Sequence, residues 1–262
     1  MKVVGVGLLA GLIYCASAAA MAADGANFNL LKLGGDSVQW QTATAGQGSV
    51  VSYGIVKETR EFAGARNCGK LTSLDVLAAA SQLSEEVIRR EIGSAFAMWE
   101  AAANINFREA ETPATADILI GAQVEPEGWA FTNVSYHVRS ADAVKAISQS
   151  LICLNPLKRW KVGFDGNLEV FDLRYTIAHE IGHAIGLDHP SDDRQIMGYR
   201  YEEKFNDLQS GDIAGAALLY GRPLPQVVTA EADQSRLAIK RSSKARWLPK
   251  RWGTRAFPAS AH

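Results

Sequence analysis

The run His179-Glu180-Ile181-Gly182-His183-Ala184-Ile185-Gly186-Leu187-Asp188-His189 sets three of the chain's five histidines and one glutamate within eleven residues. On a helix, residues four apart share a face, so His179 and His183 can aim their imidazoles at one point. Glu180 lies roughly 100° further around a helix of ~3.6 residues per turn. That offset keeps its carboxylate from ligating a shared ion but leaves it beside a water bound there. Gly186 lets the chain turn, so that His189 can return as a third nitrogen. Three neutral imidazoles with a fourth position open describe a catalytic zinc site. Such an ion brings the pKa of its water from about 15.7 to about 7 and polarises a carbonyl as a Lewis acid. Glu180 is placed to take the proton of that water as general base and hand it to a leaving amine. The expected chemistry is zinc-dependent hydrolysis of peptide bonds, with one catalytic Zn²⁺ as cofactor.

The competing reading is a buried helix that carries histidines by chance. It is a serious one for His-Glu-x-x-His alone and a poor one for the extended pattern with Gly186 and His189, which is far rarer. His137 and His262 receive the opposite treatment: a lone histidine in a loop and one at the C-terminus read as solvated.

The elements that must carry this motif are legible in outline. Ser49–Val56 is rich in β-branched residues and reads as a strand, and residues 57–73 read mostly as loop. A helix follows, with Ser84 as its cap and Glu85 and Glu86 in the first turn, where the dipole favours acids. Val87, Ile88, Ile92, Ala95, Phe96 and Trp99 share one face of it and are core. Ile105–Ala110 and Ala116–Gln123 read as strands. Gln149–Asn155 is a further strand or the end of a helix that begins near Ser140. From Asp172 to Leu187 the pattern is helical and apolar on most sides, as in a buried helix, with Gly186 suited to end it in a left-handed conformation. A last helix runs from about Leu208 to Tyr220 and stops at Gly221 and Pro223. There are no repeats.

Length, with 47% hydrophobic and 21% charged residues, is ordinary for a globular chain with a sizeable core. The net charge of −1 gives no global argument for a nucleic-acid or membrane partner. Its distribution is uneven. Residues 223–262 carry eight Lys/Arg against Glu231 and Asp233, while the rest of the chain is acidic. This tail interleaves Trp247, Trp252 and Phe257 with its charges and has no sustained periodicity. It reads as a disordered extension, either simply solvated or able to contact an anionic surface such as lipid, cell-wall polymer or nucleic acid. At the other end, Lys2, the apolar run Val3–Ala20 and the small-x-small sites near Ala18 and Ala22 read as an export signal over residues 1–22. A retained membrane helix and a lipoprotein signal at Cys15 are the alternatives; the glycines and Tyr14 disfavour them. With Cys15 removed, Cys68 and Cys153 remain as a candidate disulfide in an oxidising compartment, or as two buried thiols.

With these residues in hand, the sequence resembles the metzincin zinc peptidases, and more narrowly the matrixin branch. Met197 in "QIMGY" is similar to the methionine that lies beneath the metal in that group, at the short spacing of matrixins. Trp40, the strand Ser49–Val56, "AFAMWEAAANINF", "ADILIG" and "DLQSGDIAGAALLYG" resemble successive parts of a matrixin catalytic domain, here placed at residues 40–222 after a short N-terminal segment 23–39. The resemblance implies an α+β fold: a mixed twisted sheet with an N-terminal helix, an active-site helix and a C-terminal helix. It implies a protein or peptide substrate, no nucleic-acid partner, and a location that is secreted, periplasmic or extracellular. Structural Ca²⁺ is implied too, with oxygen donors at Phe164–Asn167 but no complete calcium loop. Pro190 and Tyr199 are similar instead to serralysins, and Tyr199 also to astacins, where that tyrosine ligates zinc and swings to stabilise the oxyanion. The other place for Tyr199 is the wall of the substrate pocket. "ARNCGK" faintly resembles a latency motif, in which the Cys68 thiolate would ligate the zinc. Two further readings stay open: a zinc hydrolase of a non-peptide amide, and a zinc-bound binding protein without turnover.

Overall fold

A computed structural model describes residues 27–41, 48–137 and 144–224. The signal-like residues 1–22 and the basic tail beyond Leu224 lie outside the described residues. In chain order come strands β1 (Asn29–Leu30), β2 (Lys32–Leu33), β3 (Asp36–Gln39), β4 (Ser49–Ile55), β5 (Arg60–Glu61) and β6 (Lys70–Thr72). Helices α1 (Asp75–Ser81) and α2 (Glu85–Ala102) follow, then β7 (Ile105–Glu109), β8 (Ile118–Gln123), β9 (Ala130–Tyr136), β10 (Val144–Leu154), β11 (Trp160–Lys161) and β12 (Phe171–Asp172). Helix α3 (Leu173–Ala184), strand β13 (Leu187–Asp188) and helix α4 (Ser210–Tyr220) complete the order.

The sheet runs β2-β3-β10-β8-β4-β7, with β9 on β10 and β6 on β8. Its spine β3, β10, β8, β4 and β7 is parallel, whereas β9 and β6 join antiparallel. The fold is thus α+β on a mixed sheet, as the sequence led us to expect. The strands at its centre are buried on both faces, which is why β8 reads as a continuous apolar run. The period of two then sorts their side chains. Ile118, Ile120, Ile152 and Leu154 enter the main core beneath the helices. Leu119, Leu151 and Cys153 enter a smaller core on the other face with Val56, Cys68 and Leu71. In that smaller core Cys68 and Cys153 form a disulfide, Cα–Cα 5.7 Å. Cys68 therefore offers no thiolate to a metal.

Residues 57–73 are mostly loop, as expected, and within them β5 and β6 pair with each other and β6 with β8. Three sequence expectations need correction. The stretch from Val144 is strand, not helix, since both of its sides are taken up by partners in the sheet. The segment before Trp40 is part of the packed structure: β3 pairs β10, and β1 pairs β13 beside the third histidine. The active-site helix ends at Ala184, before Leu187, because Gly186 turns at φ +103° and Leu187 then joins β1. A Cβ on Gly186 would also meet the Val38 carbonyl oxygen at 2.2 Å. Helix α1 leaves no clear signal in the sequence, being short and without a side-chain cap.

Helix α3 is clamped at both ends. At its start, Asp172 Oδ1 accepts from the Tyr175 N–H (2.7 Å), a side-chain N-cap. At its end, the Ala184 carbonyl accepts from Trp40 Nε1 (2.9 Å) and Ser150 Oγ (3.1 Å), and the Ile185 carbonyl from the Tyr220 hydroxyl (2.6 Å). These are the C-terminal carbonyls that a helix cannot satisfy internally. Along its length, Trp99 Nε1 donates to the Ala178 carbonyl (2.9 Å). Buried Glu91 of α2, on the apolar face of its helix, is paired with Arg174 (2.6 Å). Helix α4 contributes Asp212, fully buried, which accepts from the N–H groups of Ile196 (3.1 Å), Met197 (3.1 Å) and Gln209 (2.8 Å). Burial pushes the Asp212 carboxyl up, and the three donors oppose that shift.

Asp212 is thus the tie between α4 and the turn that carries Met197. Asp212→Ala strands these backbone donors in the interior and is expected to cost about 3 kcal/mol of unfolding free energy. Urea denaturation checks the figure, and a loss under about 1 kcal/mol would show that the turn is held by other contacts.

Candidate metal centre and catalytic cleft

Local sequence fixes the first two imidazoles, since His179 and His183 are one turn apart on α3. Tertiary contacts place the third. Beyond Gly186 the chain runs as β13, the Leu31 N–H donates to the Gly186 carbonyl (2.8 Å), and Asn29 Nδ2 donates to the His189 carbonyl (2.8 Å). The three Nε2 atoms then lie 3.1, 3.2 and 3.2 Å from one another.

The far sides of two rings define what those nitrogens can do. His179 Nδ1 is 2.7 Å from the Ile196 carbonyl and His183 Nδ1 is 2.9 Å from the Leu187 carbonyl. A carbonyl can only accept, so each Nδ1 carries the proton and each Nε2 is left as a lone pair. Burial, with the neighbouring imidazoles adding to it, pushes His179 down to about 3 and His183 down to about 4. Burial also lowers His189, beside which Asp188 Oδ1 lies 3.7 Å from Nδ1. The lone pairs of His179 and His183 and the Nε2 of His189 converge on one point, and a cation there can take all three. Tetrahedral zinc with Zn–N of about 2.0–2.1 Å needs nitrogens about 3.4 Å apart. The donor set therefore fits zinc in type, number and spacing.

Glu180 is buried beside this triangle. Its Oε2 accepts from Thr132 Oγ1 (2.7 Å), which also donates to the Glu180 carbonyl (3.0 Å). Burial pushes its carboxyl up to about 7, with the threonine bond pulling the other way. Met197 sits under the helix, and the close approach requires Gly182: a Cβ there would lie 2.1 Å from the Met197 sulfur and 3.0 Å from the Trp99 ring. Tyr199 is 77% exposed, with its ring 5.2 Å from that of His189.

The three histidines and Glu180 open into a cleft of about 500 Å³. One wall is strand β9 with Trp129 before it; among the described residues β9 pairs only with β10, which leaves its cleft-side edge free. The other wall is aromatic. Trp129 stacks on Phe171 (3.9 Å, 5° between planes), Phe171 stacks on Tyr201 (4.1 Å), and Tyr175 meets Tyr201 edge-on (5.0 Å).

Sequence reasoning missed Thr132, Asn29, Asp212 and this aromatic wall. Their signals were weak: one threonine in a stretch with no assigned element, and aromatic residues some 30–40 positions apart. It also brought Phe164–Asn167 forward as calcium donors, yet the Asp165 carboxylate and the Asn167 carbonyl accept from Lys161, while the Gly166 N–H donates to Glu203 on a neighbouring segment.

A family model described as Matrixin matches residues 69–221, more than half of the chain. The chain is 32% identical over 165 residues to Metalloendoproteinase 1-MMP of Arabidopsis thaliana, covering 60% of this chain and 44% of that protein. It is 27% identical over 181 residues to Matrix metalloproteinase-19 of Mus musculus, covering 61% and 30%. It is 30% identical over 155 residues to the Hatching enzyme of Paracentrotus lividus, covering 55% and 24%. The chain thus spans less than half the length of these relatives. The matched region begins just after Cys68 and takes in β7 to β10, α3 with its histidines, the Met197 turn and α4. With the metal-type donor set, the mixed sheet and this match together, the chain belongs to the matrixin family, whose members are zinc metalloendopeptidases.

Proposed function

We propose that the chain is an exported zinc endopeptidase in which His179, His183 and His189 hold one zinc ion through Nε2 and Glu180 is the general base. The observation that carries this reading is the triangle of three Nε2 nitrogens with a buried carboxylate beside it, at the floor of an open cleft. When bound, zinc supplies Lewis acidity toward a water and toward a substrate carbonyl. Glu180 takes the proton of the attacking water and delivers it to the nitrogen of the leaving amine, while Thr132 holds Oε2 and so fixes the carboxylate's direction. Met197 and Gly182 set the floor on which the ligands rest, and Gly186 is the hinge to the third.

The substrate is a protein or peptide lying extended along the free edge of β9, where Ala130 to Thr132 line the cleft. The stacked wall of Trp129, Phe171 and Tyr201 favours an apolar side chain beside the scissile bond. A purely structural zinc site closes its fourth position with protein and has no use for Glu180. The non-catalytic binding reading is the weaker one on that ground, and a non-peptide amide lacks the length to use the β9 edge.

Export rests on the apolar leader 1–22 and on the Cys68–Cys153 disulfide, a bond that persists in oxidising compartments. The peptidase unit takes in the strands from Asn29 onward rather than starting at Trp40, and runs to about Arg222. The tail from 223 is a basic extension suited to an anionic surface.

Glu180→Gln is expected to retain zinc and lose about a thousandfold in kcat on a quenched peptide library. Equal rates for wild type and this variant would sink the peptidase reading, and cleavage of small amides but no peptide would favour the other hydrolase. Tyr199→Phe distinguishes the two roles of that tyrosine. As an oxyanion donor its loss lowers kcat at least tenfold with KM held, an effect of the size such donors have. A change confined to KM assigns it to the pocket wall.

A further inference from the structure

Matrixins use structural calcium as well as catalytic zinc, and Phe164–Asn167 is the stretch whose residue types offer oxygens for it. The residues there do not fit a divalent cation, because a cation of the protein's own fills the place. Lys161, 13% exposed, directs its ammonium at Asp165 Oδ1, Glu203 Oε1 and the Asn167 carbonyl (2.8 Å for the last). That is one acceptor for each of its three protons. Calcium wants six to eight oxygens, whereas the carboxylate of Glu203, 5% exposed, is already fully engaged. Its Oε2 accepts from the N–H groups of Asp165 (3.0 Å) and Gly166 (2.6 Å), and its Oε1 from the Tyr201 hydroxyl (2.9 Å) as well as Lys161. Burial by itself would raise Glu203 and lower Lys161, yet the pair holds Glu203 below and Lys161 above their ordinary values.

The network continues toward the cleft. The Tyr201 hydroxyl accepts from the Asp172 N–H (2.8 Å) while donating to Glu203, and Asp172 Oδ2 accepts from the Gly163 N–H (2.6 Å). Asp172 caps α3, and Tyr201 is the end of the aromatic wall. One ammonium therefore ties together the 161–167 loop, the segment after Met197 and the start of the active-site helix.

We propose that Lys161 does at this loop the work of a bound calcium ion, and that through Glu203 it acts as a positioning residue for Tyr201 and hence for substrate binding. The part that concerns substrate rests on the peptidase reading; the part that concerns the cation does not. Once the ammonium is removed, Glu203 Oε1 is freed of one donor, and with the Asp165 carboxylate and the Asn167 carbonyl it faces a space that a divalent ion can take over, with water completing its shell.

The test uses the full zinc-loaded chain as wild type, Lys161→Met, Glu203→Gln and the double variant Lys161→Met/Glu203→Gln, each in calcium-free zinc-buffered solution and in millimolar calcium. Zinc content, thermal unfolding midpoint, kcat and KM are measured on each. For the wild type, KM and midpoint are expected to be the same in both solutions. For Lys161→Met without calcium, KM rises about tenfold while kcat stays within about twofold, the pattern of lost binding rather than lost chemistry. The midpoint falls and zinc is retained. Calcium then restores most of both losses in Lys161→Met and nothing in the double variant. Should Lys161→Met fail to fold, Asp165→Asn removes one exposed acceptor and is expected to raise KM about threefold on the same logic. An unchanged KM and midpoint in the charge-removing variant overturns the proposal. So does a loss that calcium does not restore, or a wild-type response to calcium that disappears in Glu203→Gln. If no protein form cleaves peptide, the peptidase reading fails, while the midpoints in the two solutions still decide the role of Lys161.

Discussion

Three imidazole Nε2 atoms within 3.2 Å of one another converge on one place, and most of the structure around the cleft exists to hold them there. Each buried ring must stay neutral and present its Nε2, so two of them anchor Nδ1 on backbone carbonyls, those of Ile196 and Leu187. Neither carbonyl belongs to helix α3. One lies in the turn before Met197 and the other in β13 past Gly186, so the helix and both turns must be fixed relative to one another to within a hydrogen bond. A cation at the centre turns this costly arrangement into a stable one, which couples metal binding to the stability of the whole site.

The clamps on α3 follow from that demand. Its first turn is capped by Asp172 and braced by the Arg174–Glu91 pair, and its last carbonyls are met by Trp40, Ser150 and Tyr220. Asp212 holds the Met197 turn from below, and Gly182 lets that methionine approach the helix backbone. Buried polar groups of this kind are costly alone and rigid when satisfied. Here each carries a partner on a different element, so the elements cannot shift independently.

Two cations of different kinds organise the two sides of the cleft. On one side the three histidine nitrogens form a donor set suited to a metal ion. On the other, the carboxylates of Asp165 and Glu203 are neutralised by Lys161 of the same chain. The difference lies in the donors: imidazole nitrogens suit zinc and have no use for an ammonium whose protons need oxygen acceptors, whereas carboxylates and a carbonyl accept either.

The sequence by itself determined the elements whose information is local. Helices α2 and α3 were legible because residues three and four apart declare a buried face, and Ser84 and Gly186 mark an end of each. The same spacing placed His179 and His183 on one face with Glu180 beside them, and β8 was legible as a run buried on both sides. Local signals faded for β9, a half-buried edge strand with a mixed pattern, and for the two-residue strands β1 and β2, too short to have a period. The tertiary structure alone decided the rest. It placed Thr132 on Glu180 across 48 residues, Asn29 on the His189 carbonyl across 160, and Lys161 against Asp165 and Glu203. The reason is physical: a hydrogen-bond donor or an ammonium has no preferred partner in the linear chain, and which acceptor it meets is settled only when the sheet and helices have packed.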